Sequence, residues 1–290
     1  MSAIVFDNFS YAYSGDRKAL DGVSLEVAPG SFTVVAGPSG AGKTTLCLAA
    51  CGVVPHYFGG SMAGRVLVDG NDTAAAGMSE IAARVGTVLE DYESQLVTMT
   101  VAEEIAFALE NRGEDSAKIG RRIDEVLAQV GLTGLVEREV GSLSGGQKQR
   151  LAIASVLATR PGILVLDEPA SALDPEGAEE LYALLAGLNQ SYGITVIVVE
   201  HELARVLAHA HQLVLLAGGK VACQGSPAEV LAFMASRKEF APMLPPLWQV
   251  KTGLETDLGL SLGDWRQEEE AAAELADFLI SRQRGGVKSA

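Results

Sequence analysis

Gly37-Pro38-Ser39-Gly40-Ala41-Gly42-Lys43-Thr44-Thr45 is the stretch that decides the fold. It fits the template G-x-x-x-x-G-K-[ST], in which a glycine-rich loop wraps an anion. The residues before it, Phe32-Thr33-Val34-Val35-Ala36, are apolar and β-branched and predict a buried parallel strand. After it, the run from Thr44 to Cys51 holds no breaker and predicts a helix that stops at Gly52. Strand, loop and helix in that order is the context the motif needs. Glycines let the backbone curl so that several N–H groups point inward, and the helix N-terminus adds partial positive charge. In that setting Lys43 bridges terminal phosphates and the Thr44 hydroxyl ligates Mg²⁺.

Two later stretches belong to the same chemistry. In Ile163-Leu164-Val165-Leu166-Asp167-Glu168-Pro169 an apolar strand carries two carboxylates at its C-terminal end. In an open α/β sheet that edge binds ligands. Asp167 is placed to hold Mg²⁺, and Glu168 to orient or deprotonate an attacking water. In Leu143-Ser144-Gly145-Gly146-Gln147-Lys148-Gln149-Arg150 the Ser144 side chain predicts an N-cap, and Gly145 and Gly146 expose backbone N–H groups at a helix start. One nucleotide seldom needs two such loops. A second one makes sense if it closes over a phosphate held elsewhere.

Composition narrows the functions. Over 290 residues, 22 Lys and Arg against 37 Asp and Glu leave a net charge of −15, which disfavours a nucleic-acid surface. Hydrophobic residues make up 48%, enough for a full core, yet no stretch approaches about eighteen uninterrupted apolar residues. The first residues lack the basic start and long apolar run of a signal peptide. Cys47, Cys51 and Cys223 suggest no disulfide framework, and Cys47 and Cys51 read as buried small apolar residues rather than a metal pair.

The remaining elements follow from patterning. Ile4 to Phe9 and Val23 to Val27 predict strands, with residues 11–16 as a loop between them. Tyr13 in that loop could stack on a purine ring or pack as a surface hairpin tyrosine. Further strands are predicted over Gly64 to Gly70, with Asp69-Gly70 as its turn, and over Val85 to Leu89. Thr100 and Glu103 form a capping box, and Glu114 to Gly131 predicts a second helix. Ser171-Ala172-Leu173-Asp174-Pro175 opens a helix to about Leu188, and the apolar strand Ile194 to Val199 ends in Glu200-His201. His201 there could touch a terminal phosphate, position water, or be structural; His209 and His211 read as surface positions. Leu213 to Leu216 and Val221 to Cys223 predict a hairpin around Gly218-Gly219. Pro242, Pro245, Pro246 and Trp248 predict an irregular segment, followed by a helix from Glu268 to Gln283 with Leu275, Phe278 and Leu279 as its apolar face.

Together these motifs resemble the ATP-binding-cassette (ABC) ATPases: Gly-Pro-Ser-Gly-Ala-Gly-Lys-Thr-Thr, Leu-Ser-Gly-Gly-Gln, Leu-Asp-Glu-Pro, Ser-Ala-Leu-Asp and Glu-His, in that order. The match spans about Ile4 to Pro227. The resemblance implies an α/β fold: a P-loop NTPase (RecA-like) core, an N-terminal antiparallel β subdomain and an inserted helical subdomain over about residues 90–160. It divides the chain into a cassette of residues 1–230 and a mostly helical extension of 231–290. It implies ATP and Mg²⁺ as ligands. Gly37, Pro38, Ser39, Gly40, Ala41, Gly42, Lys43, Thr44 and Thr45 then hold phosphates, Tyr13 stacks on adenine, Glu168 is the catalytic base and His201 contacts the γ-phosphate. Thr44 and Asp167 hold the metal, and Asp174 lies in the loop that spans a dimer. Ser144, Gly145, Gly146 and Gln147 close on the nucleotide of a second chain, which answers the two-loop puzzle.

Within that family the chain looks most like the ATPase subunits of energy-coupling-factor (ECF) transporters. Cys51-Gly52-Val53-Val54-Pro55-His56 carries that likeness, as does Glu93-Ser94-Gln95-Leu96 before Thr100-Val101-Ala102-Glu103-Glu104. It implies a partner cassette, a transmembrane coupling subunit and a small substrate-binding membrane subunit, no nucleic acid, and a place on the cytoplasmic face of the membrane. The usual cargo is a vitamin, a vitamin precursor, or a cobalt or nickel ion. Glu90 departs from the family, which has glutamine at this metal-ligating position. The alternative within the family is a soluble ABC protein acting on ribosomes, DNA or cluster assembly.

Overall fold

The structure, a computed structural model, describes residues 2–15 and 17–286. Met1, residues 287–290 and Asp16, the last residue of the expected aromatic loop, lie outside the described residues.

The N-terminal half begins with β1 (Ile4–Ala12), β2 (Leu20–Val27), β3 (Phe32–Ala36), α1 (Lys43–Ala50) and the short turn α2 (Val53–His56). It continues with β4 (Ser61–Val68), β5 (Asn71–Asp72), α3 (Met78–Ala82) and β6 (Val85–Val88). A helical stretch follows: α4 (Val101–Glu110), α5 (Ser116–Gln129) and α6 (Gly145–Ala158). Then come β7 (Ile163–Asp167), α7 (Pro175–Tyr192), β8 (Thr195–Val199), α8 (Leu203–Val206), β9 (Gln212–Ala217) and β10 (Lys220–Gly225). The chain ends in α9 (Pro227–Ala235), α10 (Pro246–Leu258) and α11 (Glu268–Gly286).

Two sheets form. A four-stranded antiparallel sheet has the order β2-β1-β4-β5, and a six-stranded sheet has the order β10-β9-β3-β8-β7-β6. In the second sheet every pairing is parallel except β10 with β9. Parallel strands covered on both faces read as continuous apolar runs, and β3, β7 and β8 are buried at every residue. Alternation still sorts them. Val34, Leu164, Leu166, Val196 and Val198 face the helical stretch, whereas Val35, Val165, Ile197 and Val199 face α1 and the antiparallel sheet. At about 25 cal/mol per Å², each fully buried Val or Leu contributes roughly 1.5–3 kcal/mol on either face.

Four readings change. β1 runs on through Tyr11 and Ala12, because Tyr11 pairs with both Leu20 and Met62. The segment 242–248 is not wholly irregular: Pro246 starts α10 at a position where a missing N–H costs nothing, and Trp248 joins the main core. On α11, Leu275 and Phe278 are half-buried but Leu279 is 60% exposed. His209 is half-buried, its ring centroid 6.3 Å from that of Phe32, and burial holds its pKa below the ordinary value. Cys47 and Cys51 are buried, and burial pushes the Cys51 thiol up to about 12.

Gly86 lies where α6 packs on β6. A Cβ there would stand 2.1 Å from Val156 Cγ1 and 3.0 Å from Pro161 Cγ. Gly86→Ala should therefore destabilise the protein by about 1–3 kcal/mol through overpacking, measured by urea unfolding; an unchanged midpoint refutes this account of the packing.

Candidate nucleotide site

The sheet order places the carboxyl ends of β3, β8, β7 and β6 side by side. Val35 and Asp167 both pair with Val199, so these three residues lie in one row across the sheet. The loops that leave this edge carry the glycine-rich stretch, His201, Glu168 and Glu90. Together they border a cavity of about 700 Å³, also lined by Tyr13, Arg17 and Lys18.

Gly42 is the N-cap of α1, with φ 101°. A Cβ there would lie 2.5 Å from the Ala19 carbonyl oxygen, so both the backbone conformation and the close approach of the β2 side require glycine. The Lys43 ammonium is buried and donates to the Gly37 carbonyl at 3.0 Å and the Pro38 carbonyl at 3.4 Å. Burial lowers its pKa, and the carboxylates of Glu168, Asp167 and Glu200 oppose that shift.

His201 Nε2 lies 2.9 Å from Glu168 Oε1 and 3.2 Å from Lys43 Nζ. One ring nitrogen cannot donate to the carboxylate and accept from the ammonium at once, so its proton decides which contact is a hydrogen bond. Glu168 has φ 50°, and its N–H donates to the Val199 carbonyl at 3.0 Å. A left-handed non-glycine residue costs about 1–3 kcal/mol and is held only where its surroundings fix it. Here the conformation turns the side chain back toward His201.

Asp167 is 2% exposed, and its Oδ1 has no hydrogen-bond partner among the described residues. Burial raises its pKa, and the neighbouring charges of Glu168 and Glu90 add to that; the Thr44 hydrogen bond and Lys43 pull the other way. An orphaned carboxylate oxygen beside a threonine hydroxyl is a hard-donor pair. Mg²⁺ suits it, since that ion takes one or two carboxylates and completes its shell with substrate phosphates and water. The described residues contain no cluster of three or more His, Cys, Asp and Glu able to hold a metal alone. Glu90 is exposed at the rim of the cavity, and its charge is felt at Asp167.

Tyr13 is 39% exposed, its hydroxyl 3.1 Å from Thr45 Oγ1, with Tyr11 and Phe58 in edge contact at 4.9 and 5.8 Å. Ser144 caps α6 as expected, accepting from Gln147 N–H at 3.3 Å while Gln147 Oε1 accepts from Ser144 N–H at 3.0 Å. None of Ser144, Gly145, Gly146 and Gln147 lines the cavity of its own chain. Asp174 caps α7 through Gly177 N–H at 2.8 Å.

Residues 20–171 match the family model described as ABC transporter. The chain belongs to the ABC transporter ATP-binding family. A Pyrococcus abyssi protein, provisionally named an ABC transporter ATP-binding protein, is 43% identical over 282 residues, covering 96% of this chain and 100% of its own. The solved structure of cbiO1 from Clostridium perfringens, part of the ABC transporter complex cbiONQ, superposes with a TM-score of 0.74 at 29% identity, over 89% of this chain and 96% of that one. The dimeric cassette MJ0796 bound to ADP and Pi superposes with a TM-score of 0.66 at 28% identity, over 77% of this chain and 98% of that one. The chain is thus an ATPase with a P-loop NTPase core, the ATP-binding motor of an ABC transporter.

Sequence reasoning missed three features of this ABC site. Arg17 and Lys18 line the cavity; adjacent bases after an aromatic loop in an acidic chain were the available signal. Gln95 folds back, its Oε1 accepting from Leu89 N–H at 2.9 Å, and so closes the loop that carries Glu90. Buried Glu104 accepts from Val97 and Thr98 N–H at 2.9 Å each, pinning the segment before α4. No spacing rule reveals either contact.

Gly42→Ala should destroy the cradle. Strain and the 2.5 Å contact with Ala19 act together, so ATP affinity should fall by about 10²-fold or more, as expected for about 3 kcal/mol of combined cost, in equilibrium binding of a fluorescent ATP analogue. Parental affinity would disprove the steric reading of this loop.

Proposed function

We propose that two such cassettes clamp two ATP molecules and drive an ECF-type importer from the cytoplasmic face of the membrane. The observation that carries this is the placement of Ser144–Gln147: a glycine-rich helix start, capped and exposed, away from the ATP cavity of its own chain. An anion site built there fits a nucleotide held by a second chain. The dimeric state of MJ0796 and the membership of cbiO1 in the cbiONQ complex support the same assembly.

In this reading Tyr13 stacks on adenine, and residues 37–45 wrap the phosphates. Thr44, Asp167 and Glu90 would hold Mg²⁺, which would supply charge neutralisation to the phosphates. Lys43 leaves its own loop carbonyls to meet the terminal phosphates. His201, already beside Lys43 and Glu168, contacts the γ-phosphate, which frees Glu168 to accept a proton from the attacking water. Asp174 lies in the segment facing the second cassette.

A membrane partner is supported by one more surface. Arg112, Lys118, Arg121, Arg122 and Arg160 gather around a groove of about 410 Å³ on the helical subdomain, against only Glu114 and Glu125. Arg112 and Arg122 donate to carbonyls of Leu157, Ala158 and Thr159 at the end of α6, as basic side chains do at helix C-termini. Lys118 and Arg121 stay exposed. In a chain of net charge −15, such a groove suits an acidic segment of a coupling subunit. No described helix is long and apolar enough to cross a membrane, so the spanning part and the choice of vitamin, precursor or metal-ion cargo fall to partners. In this reading the helices after α9 are an extension of the cassette, anchored to the main core through Phe240, Leu244 and Trp248.

Two measurements test these roles. Glu168→Gln should lower ATP turnover by about 10²–10⁴-fold while MgATP drives the chain into a dimer, seen by light scattering. A variant that stays monomeric under saturating MgATP, with no partner cassette in any isolated complex, ends the clamp model. Glu90→Gln should move the Mg²⁺ midpoint for turnover upward severalfold, because an amide oxygen is a weaker ligand than a carboxylate; superimposable profiles would remove Glu90 from the metal site.

A further inference from the structure

Glu200 is a buried carboxylate, 5% exposed, with no task in the reading above. It accepts hydrogen bonds from three places. Tyr182 Oη of α7 donates at 2.5 Å, Ala170 N–H at 3.4 Å and His201 N–H at 3.2 Å. Tyr182 is itself 2% exposed. Ala170 opens the segment that runs to Asp174, the cap of α7. His201 is the next residue and touches both Glu168 and Lys43.

One carboxylate therefore joins the β8 end, the segment after Glu168 and α7. Burying a charge in this way is costly, and an apolar pair of similar volume would serve packing as well or better. A cavity of about 220 Å³ adjoins the junction, bordered by Glu168, Ala170, Ser171, Tyr182, Glu200 and His201. The junction is buried, yet on the side of this cavity there is room for His201 to sit differently if its hydrogen bonds are lost.

We propose that Glu200 and Tyr182 form a positioning pair that sets His201 against Glu168 and ties its place to the 170–174 segment. The pair touches no substrate. It acts through the His201 backbone, so that movement of the segment facing a second cassette is carried to the imidazole. This rests on the reading of His201 as the phosphate contact.

The test uses the full chain and steady-state ATP turnover with thermal melting. Tyr182→Phe keeps the ring and removes one donor; Glu200→Gln is the second variant should the first be silent for local reasons of packing. Either should lower kcat about tenfold, in line with the cost of a small misplacement, with KM for ATP held within about twofold and only a slight loss of melting temperature. In a His201→Ala background the same change should add nothing, as expected for residues acting through one group. The proposal is overturned if kcat is unchanged in both variants, if the loss is equal in both backgrounds, or if kcat, KM and melting temperature worsen together. Parental turnover in His201→Ala alone would instead bring down the phosphate-contact reading, and the pair with it.

Discussion

The parallel register of β3, β8 and β7 is the constraint on which the site depends. Val35 and Asp167 meet at Val199 from opposite sides, so the chain leaves three neighbouring strands at one level. The glycine loop, Glu168 and His201 then fall close enough that the Lys43 and Glu168 side chains both reach the His201 ring. A one-residue slip of β7 would turn Asp167 to the other face, taking the orphaned oxygen away from Thr44. Burial on both faces forbids that slip. Val165 packs toward α1 and Leu166 toward the helical stretch, and exchanging them would misfit both layers.

That arrangement concentrates charge that folding alone does not favour. Lys43 is desolvated against three carboxylates, and Asp167 is pushed toward its neutral form by burial and by Glu168 and Glu90. Glu168 adds left-handed backbone strain. Features of this kind persist where they serve binding or reaction rather than stability. Asn8, Asp69 and Arg160 also take left-handed backbone, but only at the ligand edge does that conformation coincide with desolvated charge among the described residues.

The sequence made this edge legible because its motifs are local. Residues 32–51 hold strand, loop and helix start in one continuous run, and the strand Phe32–Ala36 lies where the apolar run places it. The Ser144 and Thr100 caps were readable for the same reason, since a cap and its partner stand three residues apart. What the sequence hid depends on distant partners. Tyr11 extends β1 because two strands flank it. The prolines near residue 245 suggested a break, but the indole of Trp248 donates to the Trp265 carbonyl at 2.7 Å and gives the following helix something to pack on. His209 is half-buried because the sheet brings Phe32 beside it. Glu200 reads as the polar half of a dipeptide until Tyr182 is seen across from it.

The helical subdomain is tied to the same edge by contacts that differ in kind from the core. Tyr92 Oη donates to the Gly145 carbonyl at 3.3 Å, and Lys148 pairs with Glu93 at 2.8 Å. Both join the loop that carries Glu90 to the start of α6. The exposed Lys148–Glu93 pair contributes little to stability, about 0–1 kcal/mol, whereas Tyr92 is buried in the main core. The value of both contacts is geometric. They link the loop that carries Glu90 to Gly145 and Lys148 in the first turn of α6. The buried carboxylate of Glu104 fixes the backbone that follows, accepting hydrogen bonds from Val97 N–H, Thr98 N–H and the Thr98 hydroxyl, so the approach to α4 is held in one conformation.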